Sequence, residues 1–206
     1  RLHYGDYSNV SVMVIAVDNS PAGNDSYTFT INITSAGGTT GNVHVQGAVI
    51  KVDEAVYATG LVNIAAGATA TVLSTTSSFP AGTKVVALAF VAGFNTGTAG
   101  HAMYGADCAR IKLNGTVIST NEFNDGGWDS VAGALFSLGS LTTVSTPSQT
   151  WEIEFVNRSS RPNRTYAILV VFPVADGAFL DTGSVALTLN SQVTVGSLST
   201  TLIGDV

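Results

Sequence analysis

The histidines, the cysteine and the carboxylates are this chain's conventional means of doing chemistry, and they are thinly spread. His3, His44 and His101 stand apart. They form neither an HExxH pair nor the His–Cys spacing of a zinc site. His44, between Val43 and Val45, reads as a strand residue turned to water. Cys108 has no histidine beside it in sequence to take its proton, so it reads as a small packing residue and not a nucleophile. Glu152 and Glu154 alternate with Trp151, Ile153 and Phe155, which puts both carboxylates on one strand face, with solvation their expected role. Asn121, Asn124, Asp125 and Asp129 offer oxygen ligands of the kind calcium takes, but not at EF-hand spacing. Phe123 and Trp128 in the same stretch have the flat faces that stack on sugars, although aromatics under a long loop also serve as satellite core. Lys84 heads an apolar strand. A lysine buried beside an amide and a carboxylic acid can form an isopeptide crosslink, yet an ordinary strand-end lysine is the simpler reading. No G-x-S-x-G elbow and no phosphate-binding loop occurs. The expectation is a protein that is not an enzyme, with no metal and no cofactor.

Modification is the other chemistry on offer. Asn9, Asn24, Asn32, Asn114, Asn157 and Asn163 each open an Asn-X-Ser/Thr sequon. Asn32 falls on the polar side of an alternating strand, Asn24 and Asn163 fall in loop-like stretches, and Asn114 falls at a turn. All are places where a glycan would point into water. N-linked glycans on an extracellular protein are therefore expected.

The composition says what kind of element carries these residues. Ser and Thr together number 45 and Gly adds 22, while charged residues are only 11%. Exposed helix faces draw on Glu, Lys, Arg and Ala; Thr suits a pleated sheet, and Ser, Asn and Gly suit turns. Eight Lys and Arg against fourteen Asp and Glu give a net charge of −6, so there is no basic face for nucleic acid. Mean hydropathy is +0.34, yet no apolar run approaches the roughly 18 residues of a spanning helix. A single cysteine excludes an intrachain disulfide. The chain opens on Arg1, which reads as a mature chain after removal of a targeting segment. Scarce charge also suits an acidic exterior, because few carboxylate ion pairs are there to be lost.

Strand signals recur along the chain. Ser26–Ser35 sets Tyr27, Phe29, Ile31 and Ile33 against Ser26, Thr28, Thr30, Asn32 and Thr34, a strict period of two with one wet face. Val43–Val52, Ala55–Ile64 and Ala68–Leu73 follow, and Lys84–Ala92 is apolar enough for a central strand. Asn114-Gly115 marks a two-residue hairpin. Residues 121–139 read as a long Gly-rich loop, and Leu141–Ser145 as a short strand. Trp151–Phe155 has one exposed face, Asn157–Arg164 reads as a polar loop, and Thr165–Val174 as a second buried strand. Ser184–Asn190 and Gln192–Leu198 alternate again. This spacing predicts an all-β antiparallel sandwich of Greek-key or jelly-roll type.

The opening strand is unusual. Ser8–Val17 carries Val10, Val12, Val14 and Ala16 on one row, and Met13, Ile15 and Val17 make its second half apolar on both. A free terminus is normally polar and frayed, so a strand this apolar has to be buried. Either it is the first strand of its own sandwich, or it leaves its domain and completes a neighbour's sheet, with main-chain hydrogen bonds for affinity and alternate side chains in pockets. Repeated head to tail, the second contact does not close and generates a filament. The turn-forming residues 18–25 would be the hinge.

A Ser/Thr-rich, sequon-rich, charge-poor sandwich behind an apolar first strand resembles the subunit of the archaeal thread, the donor-strand-complemented pilus of thermoacidophilic archaea. The resemblance covers the overall plan, with residues 1–25 as tail and hinge and 26–206 as a pilin-like head. It implies an N-glycosylated subunit of an extracellular cell-surface filament serving adhesion or biofilm formation. The partners it implies are identical subunits in a helical homopolymer, with no nucleic acid and no membrane insertion of the mature chain. It also implies Val10, Val12, Val14 and Ala16 as the inserted row. The alternatives are a viral capsid or turret jelly roll, and a carbohydrate-binding adhesive module using the Phe123–Trp128 stretch.

Overall fold

A computed structural model describes residues 52, 54–95, 107–123, 133–158 and 162–175 of the chain. Within them every regular element is a strand: β1 (Val56–Ile64), β2 (Thr69–Ser77), β3 (Lys84–Asn95), β4 (Asp107–Leu113), β5 (Thr116–Phe123), β6 (Gly133–Thr143), β7 (Gln149–Val156) and β8 (Asn163–Pro173). The two antiparallel sheets run β1-β8-β3-β6 and β2-β7-β4-β5. Strand β4 pairs with β5, β3 with β6, β2 with β7 and β1 with β8. The chain is thus one long hairpin doubled over on itself, and the contacts β3–β8 and β4–β7 complete each sheet. This is a jelly roll, the all-β sandwich expected from the sequence.

The tip of that hairpin is the predicted Asn114-Gly115 turn. Asn114 has φ 49° and Gly115 φ 80°, the pair of left-handed residues that a type I′ turn requires. At the opposite end, β1 and β2 are consecutive in sequence but lie in different sheets, joined over Ala65-Ala66-Gly67. They pass so closely that a Cβ on Gly60 would stand 2.1 Å from the Val72 carbonyl oxygen. Only glycine allows that approach. Across from it β2 shifts register between Thr71 and Leu73, a bulge that turns the strand toward β7.

The core lies between the sheets. Val85, Ala87, Ala89 and Val91 of β3 and Ala167, Leu169 and Val171 of β8 face Ala109 and Ile111 of β4 and Trp151, Ile153 and Phe155 of β7. Phe136 of β6 meets Phe155 edge to face, with centroids 5.8 Å apart. Each large apolar side chain buried here contributes about 1.5–3 kcal/mol.

Three expectations need correcting. The residues read as a loop over 121–139 contain the end of β5 and most of β6, and the short strand at Leu141–Ser145 is the tail of β6. The Gly and Ser of β6 hide it in sequence, because they interrupt the alternation of apolar residues. Asn163 and Arg164, read as loop, open β8. Asn157 and Asn163, read as glycan carriers, are 0% and 1% exposed and turn their amides inward, so neither presents a nitrogen to water in this fold. The division into a tail at 1–25 and a head at 26–206 lies in large part outside the described residues, as do the strands read at Ser8–Val17, Ser26–Ser35, Ser184–Asn190 and Gln192–Leu198.

Candidate functional site

The two sheets turn unlike faces outward. On the second sheet the outer row is polar. Arg110 and Lys112 of β4 stand directly opposite Glu154 and Glu152 of β7. Arg110 Nη1 donates to Glu154 Oε1 at 2.9 Å, and Lys112 Nζ to Glu154 Oε2 at 3.2 Å. Lys112 lies 4.0 Å from Glu152. Arg158 and Glu122 make a longer, more exposed pair at 3.6 Å. Glu152 and Glu154, expected to be merely solvated, therefore belong to a cross-strand ladder. Burial pushes the Glu154 carboxyl up, but hydrogen bonds from Arg110 and Lys112 outweigh it and hold the group below its ordinary range. The same contact with Glu154 raises Arg110 further. A carboxylate clamped by two cations is a poor proton donor or acceptor at neutral pH.

Cys108 sits at the end of this ladder, opposite Glu122 on β5 and Val156 on β7. It is fully buried. Burial is the largest influence on its thiol and pushes it up, against the opposing pull of Arg110. Burial thus favours the protonated thiol.

Of the other sequence candidates, Asn114 lies at the exposed hairpin tip. Its Oδ1 accepts from Thr150 N at 2.8 Å, and its own N donates to Thr150 O at 2.8 Å. The sequon nitrogen Nδ2 takes no part in either bond. Lys84 is an exposed residue at the start of β3. Asn121 spends its amide nitrogen on Ser137 O at 3.1 Å. Phe123 ends β5. The donor-row residues Val10, Val12, Val14 and Ala16, the sequons at Asn9, Asn24 and Asn32, the three histidines, and Asn124, Asp125, Trp128 and Asp129 lie outside the described residues. Among the described residues no three His, Cys, Asp or Glu side chains converge on a metal position, and no helix is long and apolar enough to cross a membrane.

The burial of two amides, Gln149 and Asn157, was not read from the sequence. Gln149 Oε1 accepts from Ser77 Oγ at 2.7 Å and from Phe79 N at 3.0 Å, while its Nε2 donates to Phe79 O at 3.1 Å and to Thr146 O. Ser77 Oγ in turn accepts from the Trp151 indole at 2.8 Å. At the other end of β7, Asn157 Nδ2 donates to Ala65 O at 2.9 Å and its backbone N to Ala68 O at 2.9 Å, closing the β1–β2 turn. A Gln at a strand start carries no sequence signal of burial.

The first sheet turns out a different face. Along β3 and β8 the residues that alternate with the core ones are Leu88, Phe90 and Ala92, and Tyr166, Ile168, Val170 and Phe172. Tyr57 and Leu61 of β1 continue the same row. Its edge strands β1 and β6 each pair on one side only among the described residues.

No known protein family and no curated protein matches the chain by sequence. Solved structures do resemble it. A sugar-binding protein, the EclA C-terminal domain, matches over 59% of this chain and 82% of its own, at 14% identity and TM-score 0.35. The structure of infectious bursal disease virus Gx strain matches over 61% of this chain and 33% of that one, at 15% identity and TM-score 0.38. The CBM22-1–GH10 modules of a Clostridium thermocellum xylanase, complexed with xylohexaose, match over 50% and 19%, at 13% identity and TM-score 0.29.

Proposed function

We propose that the chain is a structural subunit of an extracellular cell-surface filament, a glycosylated pilus or thread whose subunits polymerise head to tail by donor-strand complementation in adhesion or biofilm formation. The observation that carries this reading is the opening strand Ser8–Val17, with Val10, Val12, Val14 and Ala16 on one row and further apolar residues on the other. A strand apolar on both faces is stable only inside a sheet that is covered on both sides. Two edges of the described jelly roll are candidates to receive it. The central strands β3 and β8 of the first sheet carry apolar residues on both faces, and the sheet's edges at β1 and β6 have free pairing positions among the described residues. In this reading the incoming strand extends an edge, because the interior between the sheets is already filled. Asn114, exposed at the hairpin tip with Nδ2 uncommitted, is the described sequon that best suits a glycan. The role requires no cofactor and no catalytic group.

The experiment is electron microscopy of the native secreted material beside the chain lacking residues 1–17. Helical filaments from the intact chain, none from the truncated one, and recovery of the truncated chain's thermal stability by a peptide spanning Ser8–Val17 are expected. Closed shells would make it a capsid protein. A monomer that keeps its fold without the strand and binds sugar would make it an adhesive module.

A further inference from the structure

On the first sheet, Phe90 and Ala92 of β3 and Ile168 and Val170 of β8 point away from the interior, yet they are only 6%, 4%, 7% and 6% exposed. None of them belongs to the core cluster between the sheets. At the rim of the same face, Tyr57 and Leu61 of β1 are 39% and 53% exposed. Flanking side chains on the same face do not cover the outer side of a large central residue, and Leu61 on the edge strand β1 stays 53% exposed. The low values are reached in a single chain, and both described sheets are already accounted for.

We propose that this outer face is the docking surface for a third layer supplied by the same chain, namely the segment Ser26–Ser35. A cover over an outer face must be apolar beneath and polar above. Tyr27, Phe29, Ile31 and Ile33 form an unbroken apolar row, and Ser26, Thr28, Thr30, Asn32 and Thr34 an unbroken polar one. Ser8–Val17 lacks that asymmetry, since Ile15 and Val17 would be left in water. The width also fits. The deepest burial runs along β8 and β3 and fades at β1, the footprint of one strand, whereas the two successive strands read at 184–190 and 192–198 would spread across β1 as well. Ten extended residues span about 33 Å, enough to follow the eleven residues of β8. The described chain enters the first sheet at β1, and residues 36–51 are long enough to carry the segment across from that edge. The inference does not depend on filament formation.

The test is photo-crosslinking of the full-length protein. Phe29 is replaced by p-benzoylphenylalanine and, in a second variant, Leu61 is replaced at the exposed rim. Each is irradiated as an equal mixture of light and isotope-labelled heavy chains, and crosslinked peptides are read by mass spectrometry. From position 29, crosslinks to the β3 and β8 peptides within one chain are expected. From position 61, crosslinks to the peptide containing Ser26–Ser35 are expected, with light–heavy hybrids at background. Crosslinks from position 29 to the second sheet, from position 61 to residues 176–206, or predominantly between light and heavy chains overturn the proposal. So does the absence of any crosslink at both positions. Exchange of residues 8–17 between subunits is read from a different peptide, so the two ideas fail separately.

Discussion

Gln149 and Asn157 bracket β7 and spend their amides on backbone groups that the sandwich would otherwise bury unpaired. Replacing Gln149 with Ala strips partners from both polar groups of Phe79 and from the Ser77 hydroxyl; a loss of about 2–3 kcal/mol in urea denaturation is expected. Cys108 is buried with its thiol pushed up, so thiol reagents should leave the native protein untouched and label it stoichiometrically once it is unfolded. Glu154 gives a pH signature. Its folded value is depressed, so its contribution is present above the ordinary glutamate range and disappears as pH falls through the folded value. Glu154→Gln should therefore cost roughly 1 kcal/mol at neutral pH, and the difference from the parent should close in acid, as thermal melts across pH will show. Asn163 Nδ2 and Oδ1 and the Thr165 hydroxyl are buried without a hydrogen-bond partner, and nothing in the structure explains them.

At the scale of elements, Gly60 is the most exposed to test. A methyl group there collides with the Val72 carbonyl, so Gly60→Ala should destabilise by about 3 kcal/mol or more in calorimetry, far beyond any loss of strand propensity. Strands that bury side chains were legible because burial imposes a pattern. Trp151, Ile153 and Phe155 alternate against two glutamates, and 165–174 is apolar throughout. The hairpin was legible because Asn-Gly is what a type I′ turn demands. Strand β6 was not, because Gly133, Gly139 and its serines carry little of that pattern. The ion ladder was hidden for another reason. Arg110 and Lys112 are 42–44 residues from Glu154 in sequence, and only the β4–β7 register puts them opposite. The burial of Asn157 and Asn163 was equally invisible, since a sequon reads the same on either side of a sheet.

For the whole molecule, the imbalance between its outer faces matters more than any single residue. One sheet meets water through charged pairs, and the other carries apolar residues on both sides of its central strands. Most of its stability then comes from apolar burial, which protonation does not touch. The melting temperature should change little between neutral pH and about pH 3, measured by circular dichroism. The nesting of strand pairs has a kinetic corollary. Each pair, starting from β4–β5, brings the ends of the next within reach, so the roll is built to zip from Asn114-Gly115 outward, and β1 waits for β8. Substitutions at the tip should slow refolding in stopped-flow mixing, whereas those between β1 and β8 should mainly hasten unfolding. A polypeptide emerging from a ribosome would hold β1 apart from β8, its partner among the described residues, until residue 173 had been made.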